Sequence, residues 1–168
     1  MVMQLKPQRG GFLRPFGCGM FIKEFLSGNG PYDSPRINPD TGATQSDIFH
    51  YYKLALISET ALDRATRTEE KRASKENRKI NPDNIDRLFK KHLARMPYKA
   101  QGARYHSFVT YFSVLQKLGW VEYTGKEEPS SFQDNYPQGQ PRKYFRLTAA
   151  GMVAPDYLWS NPHKALYD

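Results

Sequence analysis

Apolar residues recur every three or four positions in four stretches of the chain, the spacing that places side chains on one face of an α-helix. The stretches are 18–27, 44–65, 82–96 and 103–118. The third is the most regular, and its opposite face is rich in lysine and arginine. The pattern therefore predicts four helices, of which the third is the most clearly amphipathic.

Several polar residues, Pro and Gly mark where these helices begin and end. Thr44, with an acidic residue three positions later, resembles a capping box, and Asn81-Pro82 combines a cap residue with a proline suited to a first turn. Gly119 is placed to end the fourth helix. Apolar residues nearly vanish between 67 and 79, so this segment is either an exposed continuation of the second helix or a mobile linker.

Two short runs after the fourth helix predict a β-hairpin. WVEYT, 120–124, is typical of a strand, and its predicted partner RKYFRLT, 142–148, places Phe145 and Leu147 on one face and Tyr144 and Arg146 on the other. The intervening residues are polar and rich in proline, which is typical of a long hairpin tip. Thr148 is positioned to cap one further helical turn.

The segment FVTYFSVLQKLGWVEYTG followed by KYFRLTAAG resembles the last helix and wing of the winged helix-turn-helix superfamily. The resemblance spans about 82–151 and implies a mainly α fold with a small β-hairpin wing. The preceding residues then form an N-terminal helical extension. Three parts follow from this: a basic arm, short helix and loop at 1–43; a winged-helix domain at 44–151 with a charged insertion at 67–80; and an aromatic C-terminal tail at 152–168.

Composition narrows the classes of partner. The formal net charge is +8 and the isoelectric point about 9.5, which favours polyanions such as DNA or RNA. One cysteine excludes an internal disulfide and a cysteine-rich zinc site, and the four histidines lack ligand spacing, so no metal or cofactor is expected. No apolar run approaches the ~20 residues that span a bilayer, and no signal core is found. The expectation is a soluble intracellular protein without a membrane partner.

The resemblance implies that the helix at about 103–118 enters the major groove of double-stranded DNA, as in a transcriptional regulator. Arg104 is the candidate for a bidentate contact to guanine. Phosphate contacts are expected from the helix 82–96 and from the base of the wing. The full set of candidate DNA-binding residues is Lys90, Lys91, Arg95, Lys99, Gln101, Arg104, His106, Ser107, Thr110, Lys117, Arg142 and Lys143.

Two features depart from the family pattern. The turn PYKAQG, 97–102, is longer than the tightest helix-turn-helix turns. The wing contains Glu127, Glu128 and Asp134, whose charges would oppose phosphate. Both features argue against direct contact between the wing and the DNA backbone.

Other readings of the sequence stay open. The main one is a winged helix that acts as a protein-interaction adaptor in a larger nucleic-acid-handling complex. A homodimer through the helix 44–65 or the C-terminal tail is also expected. An enzyme is not, because no catalytic constellation stands out. A further alternative is binding of single-stranded nucleic acid, with bases stacked on Tyr51, Tyr52, Tyr105, Tyr111 and Tyr123.

Overall fold

A computed structural model describes residues 17–30, 34–96, 105–129 and 141–167. The described part is mainly helical, with a small antiparallel sheet. Its elements in chain order are α1 (Cys18–Leu26), β1 (Ala43–Thr44), α2 (Gln45–Lys75), α3 (Pro82–Arg95), α4 (Tyr105–Lys117), β2 (Val121–Glu128), β3 (Arg142–Leu147), α5 (Ala149–Val153), α6 (Asp156–Trp159) and α7 (Pro162–Tyr167).

The predicted starts of three helices are confirmed by their capping geometry. The Thr44 hydroxyl accepts a hydrogen bond from the Asp47 amide at 3.2 Å, and the Asn81 side chain accepts from the Asp83 amide at 3.0 Å. The Thr148 hydroxyl caps α5 by accepting from the Gly151 amide. These bonds satisfy amide groups that a helix N-terminus leaves without partners.

The sheet has three strands in the order β1-β3-β2, one more than the sequence predicts. The additional strand is β1, which lies in the segment expected to be a loop and pairs with β3 through Ala43 and Phe145. Gly42 permits this close approach, because its φ is +72° and a Cβ there would collide with the Phe145 backbone. A strand of two residues carries no detectable alternation, so tertiary pairing alone defines it.

The main core lies between α1, the first half of α2, α4 and the sheet. Phe112 of α4 is fully buried, and its ring lies 5.0 Å from that of Phe145. Trp159 is also fully buried, with its ring 4.8 Å from that of Trp120. The C-terminal segment therefore docks on the chain's own core through Trp159, whereas Tyr157 remains 74% exposed.

The charged segment 67–79 continues α2 as a helix as far as Lys75, which settles the choice between helix and linker. The chain then reverses, and α3 packs back along the second half of α2. We call this antiparallel pair the α2–α3 hairpin, from Ile57 to Arg95. None of the helices in the described ranges is long and apolar enough to cross a membrane.

Apolar spacing predicts that Leu93 and Tyr105 lie on the inner faces of the third and fourth helices, but both are partly exposed. Leu93, on the apolar face of α3, is 37% exposed, and Tyr105, at the start of α4, is 44% exposed. For Leu93 the reason is that α3 packs extensively against α2 alone, and one neighbouring helix cannot cover a wide apolar stripe. Tyr105 keeps ring contacts at 5.3 Å with Phe49 and 6.3 Å with Phe108, at the edge of the core.

Candidate nucleic-acid interface

The helix α4 has a buried, largely aromatic side and an opposite side that is polar and exposed, with the buried Val114 at the boundary between them. Phe108 and Phe112 are 4% and 0% exposed, whereas His106, Thr110 and Lys117 are all exposed. Successive residues of an α-helix advance by about 100°, so these three polar residues lie within about 40° of one another. Ser107, at the edge of this side, is also exposed.

The polar side of α4 carries groups that can bind acceptors or donors. The Thr110 hydroxyl donates to the carbonyl oxygen of His106 at 3.1 Å, which leaves its oxygen lone pairs available to an incoming donor. Lys117, in the last turn, makes no ion pair with a described carboxylate. This side can therefore offer hydrogen-bonding groups and one positive charge to a polyanion.

Three of the predicted contacts precede the described part of α4. Lys99, Gln101 and Arg104 all lie outside the described residues. The structure therefore has no bearing on the predicted contact between Arg104 and guanine.

The structure distributes the three predicted phosphate contacts of α3 over different sides of that helix. Lys90 pairs with Asp86 at 3.0 Å, one turn earlier. Lys91 and Arg95 are exposed, and neither forms an ion pair within the described chain. The extensive packing of α3 is against α2, so its basic residues are not gathered around α4 as the resemblance implies.

At the start of β3, Arg142 is paired with acidic residues of the same chain. Its guanidinium forms ion pairs with Glu128 and, at 3.5 Å, with Asp47, and its side chain is 29% exposed. Lys143 is exposed, with its ammonium 5.2 Å from the centre of the Tyr123 ring. Of these two predicted contacts, only Lys143 has its charge free of carboxylates in the described structure.

The acidic residues at the end of β2 also have hydrogen-bond partners within the chain. Glu128 accepts a hydrogen bond from the Tyr144 hydroxyl at 2.7 Å, and Glu127 accepts from the Tyr123 hydroxyl at 2.7 Å. These bonds to carboxylates raise the pKa of both tyrosines. The repulsion expected between the wing and phosphate is therefore reduced at Glu128, where Arg142 offsets the charge. Asp134 lies outside the described residues.

The tyrosines considered for base stacking contribute largely to packing. Tyr52 is 3% exposed, the Tyr51 ring stacks on Phe25 at 5.7 Å, and burial raises the pKa of Tyr111. Tyr105 and Tyr123 retain 44% and 40% exposure. The described structure offers no row of free rings along which consecutive bases could stack.

The exposed basic surface extends beyond the candidate contacts, since the sequence places Arg87 on the basic side of the third helix but the candidate set leaves out Arg64, Arg72 and Arg87. Arg64, Arg72 and Arg87 are exposed on the α2–α3 hairpin, and none forms an ion pair with a described residue. The signal that could have found them is their position immediately before the residues through which the two helices contact each other. That signal required knowing that 67–75 is helical.

Comparison with known proteins finds no matching family model, no similar curated protein and no similar solved structure.

Proposed function

We propose that this protein binds double-stranded DNA as a regulator of the winged-helix class, with α4 as the helix that enters the major groove. The observation that carries the proposal is the division of α4 into a buried aromatic side and an exposed polar side. A recognition helix needs both, because one side must anchor it to the fold while the other reaches base edges. The strands β2 and β3, which follow α4, are the proposed wing.

The positive net charge of the chain also supports duplex DNA as the partner. The chain carries a net charge of +8, and a duplex presents a dense array of phosphates. Lys117 and Lys143 are exposed and free of described carboxylates, so they supply attraction that does not depend on sequence. Discrimination between sequences falls to the polar side of α4.

The experiment begins with selection of bound fragments from a pool of random duplexes. A triple variant, His106→Ala with Ser107→Ala and Thr110→Ala, is then compared with the wild type on a selected duplex and on an unrelated one. We expect weaker binding to the selected duplex by about 1–3 kcal/mol, with little change on the unrelated duplex, because base contacts specify while phosphate contacts position. Competition titrations measure both affinities.

The control is Gln116→Ala, which changes an exposed residue of α4 outside the proposed contact surface. Its affinity for both duplexes should equal that of the wild type. If the triple variant retains full discrimination while its thermal melting is unchanged, α4 is not the recognition helix.

A second candidate is supported by apolar side chains exposed near the C-terminus. Val153 is 81% exposed, Tyr157 74% and Met152 54%. Exposed apolar groups clustered in sequence are a feature of protein-binding surfaces, which suits an adaptor. An adaptor would bind duplex DNA weakly at every salt concentration, so the same titrations separate the two functions.

A further inference from the structure

The α2–α3 hairpin holds a large share of the protein's positive charge. Between Asp63 and Arg95 there are 11 Lys and Arg against 6 Asp and Glu, which makes a net +5 out of +8 for the chain. Because these residues stand on two exposed helices that pack mainly on each other, most of this charge lies at the surface.

The way the two helices pack determines on which side of the hairpin each charged residue lies. Buried residues mark the contact line on α2. On α3 this line follows Leu88, which is buried, Asn84, which bonds to Glu69, and His92, whose Nε2 atom is buried. The buried residues of α2 are Ile57, Ala61, Ala65, Glu69 and Ala73. In an antiparallel pair, the residues immediately before the contact positions of both helices lie on the same side, because both helices share one handedness while their directions are opposite.

This rule brings Arg64, Arg72, Arg87 and Lys91 to a common side, and Arg95, one turn after Lys91, adjoins them; we call these five cations the basic face. All five are exposed. The acid on this side is Asp83, at the tip end, where α3 begins. The residues of the basic face are Arg64, Arg72, Arg87, Lys91 and Arg95.

The remaining sides of the hairpin have a different character. Residues that follow the contact positions include Glu70, Phe89 and Leu93, so that side is acidic and apolar. Lys90 points away from α2, beside its partner Asp86. Of the three phosphate contacts predicted on α3, the basic face thus includes Lys91 and Arg95 and excludes Lys90.

The basic face gathers on one side five cations that have no carboxylate partner in the described chain, whereas other unpaired cations, such as Lys117 and Lys143, stand apart from it. Arg67, Lys90 and Arg146 each pair with a carboxylate within 3.2 Å. None of the five residues of the basic face does so within the described chain. Arg87, Lys91 and Arg95 succeed one another at intervals of four, an arrangement in which like charges repel and destabilise the helix. An external polyanion relieves that repulsion.

A buried ionic network holds the hairpin rigid at its tip. The Glu69 carboxylate accepts two hydrogen bonds from the Arg78 guanidinium, at 2.8 and 3.0 Å. It also accepts from the Asn81 amide at 3.0 Å and from the Asn84 side chain at 3.1 Å. The network joins α2, the connecting loop and the start of α3, so the two rows of cations keep a fixed relation to each other.

We propose that the basic face binds the phosphodiester backbone of duplex DNA without regard to sequence, independently of α4. Charge complementarity identifies the occupant, because five unpaired cations on a rigid surface match a regular array of phosphates. A second copy of the chain would bring two basic faces together and is disfavoured by repulsion. The choice of DNA rests on the proposed function, whereas the surface itself does not.

The test compares two variants that lose the same charge from the same hairpin. The first combines Arg64→Ala, Arg87→Ala and Lys91→Ala on the basic face. The second combines Lys71→Ala, Lys75→Ala and Lys90→Ala, which are exposed on other sides. The measurement is the slope of log affinity against log salt concentration for a duplex of arbitrary sequence.

We expect the basic-face variant to lower the steepness of this slope by about 2.7, since each lost phosphate contact removes about 0.9. The matched variant should keep a slope close to that of the wild type. Equal changes in the two variants would overturn the proposal, and so would a wild type that shows no salt-dependent binding to the arbitrary duplex. Circular dichroism and thermal melting confirm that both variants are folded.

Two further measurements distinguish this proposal from the proposed role of α4 and from binding to an anionic membrane. The α4 triple variant should lose discrimination between duplexes and keep the wild-type slope, so failure at α4 and failure at the hairpin give different results. Vesicles with and without phosphatidylserine test an anionic membrane as the occupant. If the basic-face variant loses binding to anionic vesicles and keeps the wild-type slope on DNA, the surface binds lipid and the proposal is wrong.

Discussion

Glu69 is the one carboxylate among the described residues with no exposed surface. Its sequence context, TEEKR, predicts an exposed charged run, and its neighbour Glu70 is indeed exposed. Glu69 is buried because it falls on the line of α2 that faces α3, where Arg78 and two asparagines donate to it. A buried charge is tolerated when it is paired and fully hydrogen-bonded.

Stability should depend on pH through Glu69. The hydrogen bonds from Arg78 and the other donors lower the pKa of Glu69 from 4.5 to about 2. Because the folded pKa is the lower one, this contribution to stability is complete above about pH 4.5 and is lost as the pH falls towards 2. In Glu69→Gln it is absent, so the difference in free energy of unfolding between wild type and variant should shrink over that range. Chemical denaturation at several pH values measures it.

The control for this experiment is Glu70→Gln, which removes an exposed carboxylate at the next position. Its stability should follow the wild type at every pH. Parallel pH curves for wild type and Glu69→Gln would show that the buried pair does not shift the protonation of Glu69.

At the scale of single elements, α4 is where the sequence was most informative. Phe108, Phe112 and Leu115 fall on the apolar spacing of 103–118, which predicts them to be its inner side, and all three are buried. Gly119 has a φ of +74°, the left-handed conformation expected at the end of a helix. The exposure of Tyr105 was not predicted, because periodicity identifies a face and does not show how far along the helix that face is covered.

Removing the central aromatic side chain of α4 should destabilise the fold strongly. Phe112→Ala leaves a cavity between α4 and β3, since the ring contacts those of Phe108 and Phe145. The expected loss is about 3–5 kcal/mol of the free energy of unfolding, measured by urea denaturation. The exposed substitution Gln116→Ala should stay within about 0.5 kcal/mol of the wild type. A loss below about 1 kcal/mol for Phe112→Ala would contradict the central position of this ring.

At the scale of the whole molecule, the C-terminal segment closes the core. The Trp159 indole donates to the Gly151 carbonyl at 2.9 Å and packs on Trp120. Gly19 of α1 lies so close to the Trp159 carbonyl that any Cβ there would collide with it. Residues from both ends of the described chain thus meet around one side chain.

Truncation of this side chain should therefore affect global stability. Trp159→Ala is expected to lower the free energy of unfolding by about 3–5 kcal/mol, because it opens a large cavity and leaves a carbonyl without its donor. Tyr157→Ala, two positions away and largely exposed, should have little effect. Equal melting temperatures for the two variants would show that the C-terminal segment is not part of the folding unit.

The sequence by itself determined the elements whose signals are local: the helices α1 to α5, the caps at Thr44, Asn81 and Thr148, and the strands β2 and β3. These depend on spacing and on side chains that bond to nearby backbone groups, so they can be read without knowing the fold. The tertiary structure alone decided the pairing of β1, the burial of Glu69, the placement of α3 along α2 and the common side of the five cations. Each of these joins residues distant in the chain, and the free energy that selects them comes from packing and charge pairing between elements.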